Sequence, residues 1–156
     1  MRKIIIILTF LVSNNLLAQE NLRQTNPFGV NLNIGGPSLL LSGSCDYFIT
    51  SSLNIEAGLG MIGLFGGIKY HFNRNKYDKN RSSYMGLYTV HVPELKGLWG
   101  GINSASGLYI PLGTHYIGKK GFTYGVEVAG IIFNDFGGKI NVWGAIKLGY
   151  HFKSCK

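Results

Sequence analysis

Short runs that alternate apolar and polar residues, divided by Gly, Pro, Asn and Ser clusters, fill the chain from Phe28 to Phe152 and restrict its fold more than any other feature. A period of two sends successive side chains to opposite faces of a strand; a helix would need an apolar stripe repeating every three or four residues, and none is convincing. The pattern predicts eight strands: Phe28 to Gly35, Ser38 to Ile49, Ser52 to Gly60, Ile62 to Phe72, Ser82 to Val92, Gly107 to Ile117, Gly121 to Phe133, and Asn141 to Phe152. In the last, Val142, Ile146, Leu148, Tyr150 and Phe152 share one face while Asn141, Lys147 and His151 share the other. The fourth sets Ile62, Leu64, Ile68, Tyr70 and Phe72 against Lys69 and His71, and the seventh sets Phe122, Tyr124, Val126, Val128 and Ile132 against Thr123 and Glu127. The fold class is therefore all-β, an eight-stranded antiparallel up-and-down barrel.

Which face points outward is not fixed by alternation alone, because a soluble barrel or sandwich alternates too, with its apolar face inside. Two further features decide it. The chain opens MRKIIIILTFLVSNNLLAQE, two cations followed by an apolar run from Ile4 to Val12 and then Leu-Leu-Ala. That is the layout of a secretory signal peptide, too short in its apolar part for a spanning helix of roughly 20 residues. Residues 1–18 are read as the leader, with cleavage after Ala18, and 19–156 as one domain of 138 residues. Eight strands then leave about 17 residues for each strand and its connection, which suits membrane strands of roughly 10 residues. The second feature is aromatic placement. Tyr70, Phe72, Tyr84, Tyr116, Phe122, Tyr150 and Phe152 fall at strand ends that an even-stranded meander brings to one rim, as in the interfacial girdle of a membrane barrel.

A repeat runs through the same map. GGIKYHF, from Gly66, returns as GAIKLGYHF, from Gly144, and CDYFITSSLNIEAGLG, from Cys45, aligns with THYIGKKGFTYGVEVAG, from Thr114, when short gaps are allowed. Tyr47 matches Tyr116, Glu56 matches Glu127, Lys69 matches Lys147 and His71 matches His151, as expected of two four-stranded halves joined by Asn73 to Arg81.

The leader ending LLAQ, the alternating strands and the closing KLGYHF together resemble the small eight-stranded outer-membrane β-barrel proteins of Gram-negative bacteria, over essentially the whole mature chain. In that family the aromatic-ended last strand is recognised by the outer-membrane assembly machinery; here KSCK follows Phe152, a departure from the pattern. The resemblance implies location in the cell outer membrane, periplasmic termini, and partners that include outer-membrane lipids and that assembly machinery. It places the turns near Gly36, Met61 and Gly137 and the segment Pro93 to Ser106 outside, with Asn73 to Arg81 in the periplasm.

The mature part carries 13 Lys plus Arg against 7 Asp plus Glu. A basic chain often binds nucleic acid, but an exported one with no such motif is not expected to. Arg74, Lys76, Lys79, Arg81, Lys119, Lys120, Lys153 and Lys156 gather at the periplasmic end, where anionic headgroups or an acidic partner would attract them. Cys45 and Cys155 fall too far apart on the strand map for a disulfide and are expected to be free thiols.

The inward face is expected to hold Asn31, Asn33, Ser42, Ser44, Asp46, Asn54, Glu56, Lys69, His71, Thr89, His91, Tyr109, His115, Thr123, Glu127, Trp143, Lys147 and His151. Eight strands leave an interior that side chains fill, so Glu56 is expected to pair with Lys69 and Glu127 with Lys147, as structural lumen ion pairs. His71, His115 and His151 gather near one rim, but no His-x-His or His-x-x-x-His spacing occurs, so neither metal nor cofactor is expected. Leu98 and Trp99 are large apolar residues in an exterior segment, placed to rest on the membrane or to contact a protein partner. The leading functional expectation is a non-enzymatic barrel with a structural or interaction role. Two alternatives stay open: a lipid acyl hydrolase using His91 with Ser104 or Ser106 and Glu94 near the outer rim, and a soluble secreted barrel binding a small apolar ligand.

Overall fold

The computed structural model describes residues 22–72, 80–94, 104–134 and 140–154. One helical turn, α1 (Leu22–Thr25), precedes eight strands: β1 (Phe28–Gly35), β2 (Leu41–Phe48), β3 (Leu53–Gly60), β4 (Leu64–Phe72), β5 (Arg81–Val92), β6 (Ala105–Ile117), β7 (Phe122–Phe133) and β8 (Ile140–Phe152). Each strand pairs antiparallel with its neighbours, and β8 returns to β1 with Phe28 opposite Phe152 and Ile34 opposite Ile146, closing the barrel. Closure leaves no unpaired edge.

Strand ends differ from the sequence reading by up to three residues, and the turns explain the larger differences. Gly35 and Gly36 take positive φ, and Pro37 starts a 3-10 turn at Gly36–Ser38, so β2 begins at Leu41 instead of Ser38. Thr50 Oγ1 accepts the backbone N–H groups of Ser52 and Leu53, which ends the β2–β3 connection before Leu53.

Burial is inverted relative to a water-soluble protein, whose apolar residues face inward. Val30, Leu32, Ile34, Ile68, Leu87, Leu112, Val126, Ile146 and Leu148 are exposed on the outer wall, while Asn31, Asn33, Asp46, Glu56, Lys69, Glu127 and Lys147 are buried inside. The lumen has three zones. Phe65, Tyr88, Val90, Tyr109, Ile131 and Phe133 pack one end, with Leu39 and Ile62 against them. The Gly36–Ser38 turn folds into that end, where Ser38 is 1% exposed. Charged groups occupy the middle. At the other end α1 lies across the mouth, with Arg23 buried and its Nη1 3.3 Å from the Ser51 carbonyl oxygen.

Strand β5 runs on the opposite parity from the one read off the sequence. Ser82, Tyr84, Tyr88, Val90 and Val92 face inward, and Arg81, Ser83, Met85, Leu87, Thr89 and His91 face outward. Both faces of this strand mix polar and apolar residues, so its orientation is set by pairing: inward His71 lies opposite Tyr84, and outward Phe72 opposite Ser83. Thr89 and His91 therefore leave the expected lumen set and Tyr84 leaves the aromatic rim. Trp143 also fails to fill the lumen, being 39% exposed near the start of β8. The remaining rim aromatics Tyr70, Phe72, Phe122, Tyr150 and Phe152 face outward, joined by Phe28, Tyr47 and Tyr124. Tyr116 is half-buried and stacks on Tyr124.

Candidate functional site

Inward positions on β2 to β8 build a charged centre around Glu56. Its carboxylate lies 2.5 Å from Lys69 Nζ, and 2.9 and 3.1 Å from Lys147 Nζ. It also accepts hydrogen bonds from Tyr88 OH at 2.6 Å and Ser44 Oγ at 2.6 Å. Glu127 accepts from Tyr84 OH, and from Tyr109 OH at 2.7 Å, and lies 3.5 Å from Lys147. The geometry is thus one connected network, with Lys147 nearer Glu56 on the far wall than Glu127 on the adjacent strand. Tyr84, read from the sequence as a rim aromatic, and Tyr88, not singled out there, complete it. Their signal was the need of a buried phenol for an acceptor, hidden by the ambiguous parity of β5.

A second cluster sits toward α1. Asp46 accepts from Asn31 Nδ2 at 2.7 Å and from Asn54 Nδ2 at 2.5 Å, and His151 Nε2 lies 3.5 Å away. His151 Nδ1 donates to the Asn26 carbonyl oxygen at 3.0 Å. Around Phe48, His71, His115 and His151 gather with ring centres 5.8 Å apart for His71 and His115 and 5.6 Å for His115 and His151. His71 Nδ1 meets Ser82 Oγ at 2.8 Å. Among the described residues no group of three or more His, Cys, Asp or Glu is arranged to hold a metal ion.

On the outer wall His91 Nδ1 lies 3.0 Å from Ser106 Oγ, in a shallow depression lined by Leu64, Thr89, Leu108 and Asn134. Ser104 and Glu94 are exposed nearby in sequence. Cys45 is a free thiol on the outward face of β2. The leader, Leu98, Trp99, Cys155 and most of the Asn73 to Arg81 connection lie outside the described residues.

These features define an all-antiparallel, up-and-down eight-stranded barrel of the outer-membrane type. The chain is similar to the N-terminal β-barrel domain of OprF from Pseudomonas aeruginosa, known from its crystal structure, with 16% sequence identity, a TM-score of 0.58 and coverage of 82% of this chain and 98% of that domain. The likeness is one of fold. No protein-family profile matches the chain, and no curated protein sequence does.

Proposed function

We propose that the protein is an integral outer-membrane barrel, exported through a cleaved leader and inserted by the outer-membrane assembly machinery, with a structural or interaction role. The observation that carries this reading is the inverted burial, an apolar wall around a charged interior. A soluble barrel that binds an apolar ligand needs the reverse arrangement, and the lumen centre offers it ion pairs. Leu98 and Trp99, in the segment read from the sequence as exterior, are proposed to rest on the membrane surface or to contact a protein partner, and exposed Lys119, Lys120 and Lys153 to meet anionic headgroups. The matched positions Glu56 and Glu127, Lys69 and Lys147, and His71 and His151 all face the lumen, which supports descent from a duplicated four-stranded unit.

The membrane reading is tested by cell fractionation with boiled and unboiled gels, and by Leu112→Arg. The protein is expected in the outer-membrane fraction, migrating faster unboiled. Leu112 faces outward at 58% exposure, so an arginine there costs a soluble barrel almost nothing but a membrane barrel about 2 to 4 kcal/mol near mid-bilayer. Loss of the fast-migrating band for Leu112→Arg is the expected result; carbonate-extractable protein with an indifferent variant defeats the proposal.

A second reading rests on the contact between His91 and Ser106. A serine hydroxyl within hydrogen-bond reach of an imidazole is the first half of a nucleophile and base arrangement, and this one lies on the outer wall where acyl chains would run. Under this reading a fluorophosphonate probe labels Ser106, and labelling disappears in Ser106→Ala and His91→Ala. Under the structural reading no labelling depends on either residue, and that is the result expected here.

A further inference from the structure

We infer that the depression on the outer wall where β5 ends and β6 begins seats the sugar headgroup of a glycolipid, met by Thr89, His91, Ser106 and Asn134 while the acyl chains follow the apolar wall. The inference rests on the membrane reading and names one lipid class that the barrel selects.

The outward face of β5 changes character along its length. Met85 and Leu87 belong to the apolar wall, and the next two outward positions are Thr89 and His91. On β6 the outward residues Leu112 and Leu108 give way to Ser106 toward the same end. Pairing sets Thr89 opposite Leu108, and His91 between Ser106 and Leu64. The polar step is local to these strands. At the same end of the barrel β8 keeps Val142 and Ile140 outward and exposed. A face that merely left the apolar band at this level would turn polar on β8 as well.

The four polar residues and two leucines, Leu64 and Leu108, line a hollow of about 330 Å³. That size is at the low end of small-molecule sites, roughly 300 to 1,000 Å³, so it holds a headgroup and not a whole lipid. His91 Nδ1 and Ser106 Oγ lie 3.0 Å apart and share one proton. If the serine donates, His91 Nε2–H remains as a donor and Oγ keeps a lone pair; if the imidazole donates, Nε2 accepts and the serine O–H is free. Either way the pair offers one donor and one acceptor. Thr89 Oγ1 donates to the Gly66 carbonyl oxygen at 3.3 Å and keeps its lone pairs, and the Asn134 amide carries both functions.

A sugar hydroxyl donates and accepts at once, which suits this set. A phosphate only accepts, and its strong partners are the charged Arg and Lys side chains. Among the described residues neither lines the hollow. Leu64 and Leu108 join the hollow to the apolar wall, which favours a sugar carried on a lipid over a free one. The contact between His91 and Ser106 thereby has a role that needs no covalent step.

For the test, the full chain is inserted into phosphatidylcholine vesicles holding equal minor amounts of digalactosyl diacylglycerol and phosphatidylglycerol. Resistance to carbonate extraction checks insertion, and native mass spectrometry counts the lipids retained after transfer to detergent. Wild type is expected to retain the galactolipid over phosphatidylglycerol by at least about tenfold, the scale of two net hydrogen bonds. The triple variant Thr89→Val, His91→Leu and Ser106→Ala, changed only on the outer wall, should insert and bring the ratio close to one. Should it not insert, Ser106→Ala alone must still lower the ratio. Excess free galactose should leave the wild-type ratio unchanged. Inserted wild type without the preference, a preference that the inserted variants keep, or one that free galactose abolishes overturns the inference and leaves the membrane reading standing. Wild type that carbonate extracts overturns both.

Discussion

Replacing Glu56 with Gln lowers the stability of the closed barrel by about 3 to 5 kcal/mol, the range for removing one partner of a buried ion pair. Glu56 is the anion for two lysines. Without its charge Lys69 keeps, among the described residues, only the face of the Tyr84 ring, 5.2 Å away, and Lys147 keeps the more distant Glu127 carboxylate. The Tyr88 and Ser44 hydroxyls must also find a weaker acceptor. Glu127→Gln is expected to cost less, because Lys147 retains Glu56, one phenol still donates to the amide oxygen and the other can turn to accept from the amide N–H. Adding Lys69→Met to Glu56→Gln removes the stranded cation and should recover part of the loss. Urea midpoints of the three variants in one detergent order them: Glu56→Gln lowest, the double variant between, Glu127→Gln nearest wild type. Equal losses for the two glutamate variants would mean two independent pairs and not one network centred on Glu56.

That ordering departs from what the repeated sequence motif suggests, and the reason is geometric. Sequence periodicity places Glu56, Lys69, Glu127 and Lys147 on one face of their own strands, and the repeat makes each hairpin look alike. It carries no information about reach across a closed lumen, where Lys147 on β8 meets Glu56 on β3. The eight strands and the apolar wall were legible because a strand exposed to different media on its two faces writes a sharp period of two. Strand β5 was not legible in its parity, since Tyr84 and Tyr88 are both good wall residues and good lumen donors, and only the Phe72 to Ser83 register decides. Arg23 was missed because nothing before Phe28 alternates, and a plug made from the N-terminal segment leaves no periodic trace.

Gly121→Ala is expected to prevent assembly, although it adds a single carbon. Gly121 ends the β6–β7 turn, donating its N–H to the Gly118 carbonyl at 2.9 Å and accepting the His151 N–H at 2.7 Å. Its φ is +93°, a conformation that costs a residue with a Cβ on the order of 1 to 3 kcal/mol. The added Cβ would also lie 2.3 Å from the His151 carbonyl oxygen, closer than even a hydrogen-bonded heavy atom approaches, and that oxygen belongs to the backbone of β8 and cannot swing aside. Relief requires the turn to lift from the last strand, beside the seam where β8 closes on β1 and next to the histidine that holds Asn26. Against a total stability of about 5 to 15 kcal/mol, strain and clash together are enough to empty the folded state. Gly118→Ala is the matched control: its Cβ would sit 3.3 Å from the Phe122 carbonyl oxygen with no positive φ, so a small adjustment accommodates it. On unboiled gels after refolding, Gly118→Ala should keep the fast-migrating band and Gly121→Ala should lose it. A Gly121→Ala protein that folds and melts like wild type would show that the β6–β7 turn is not seated on β8 through this glycine.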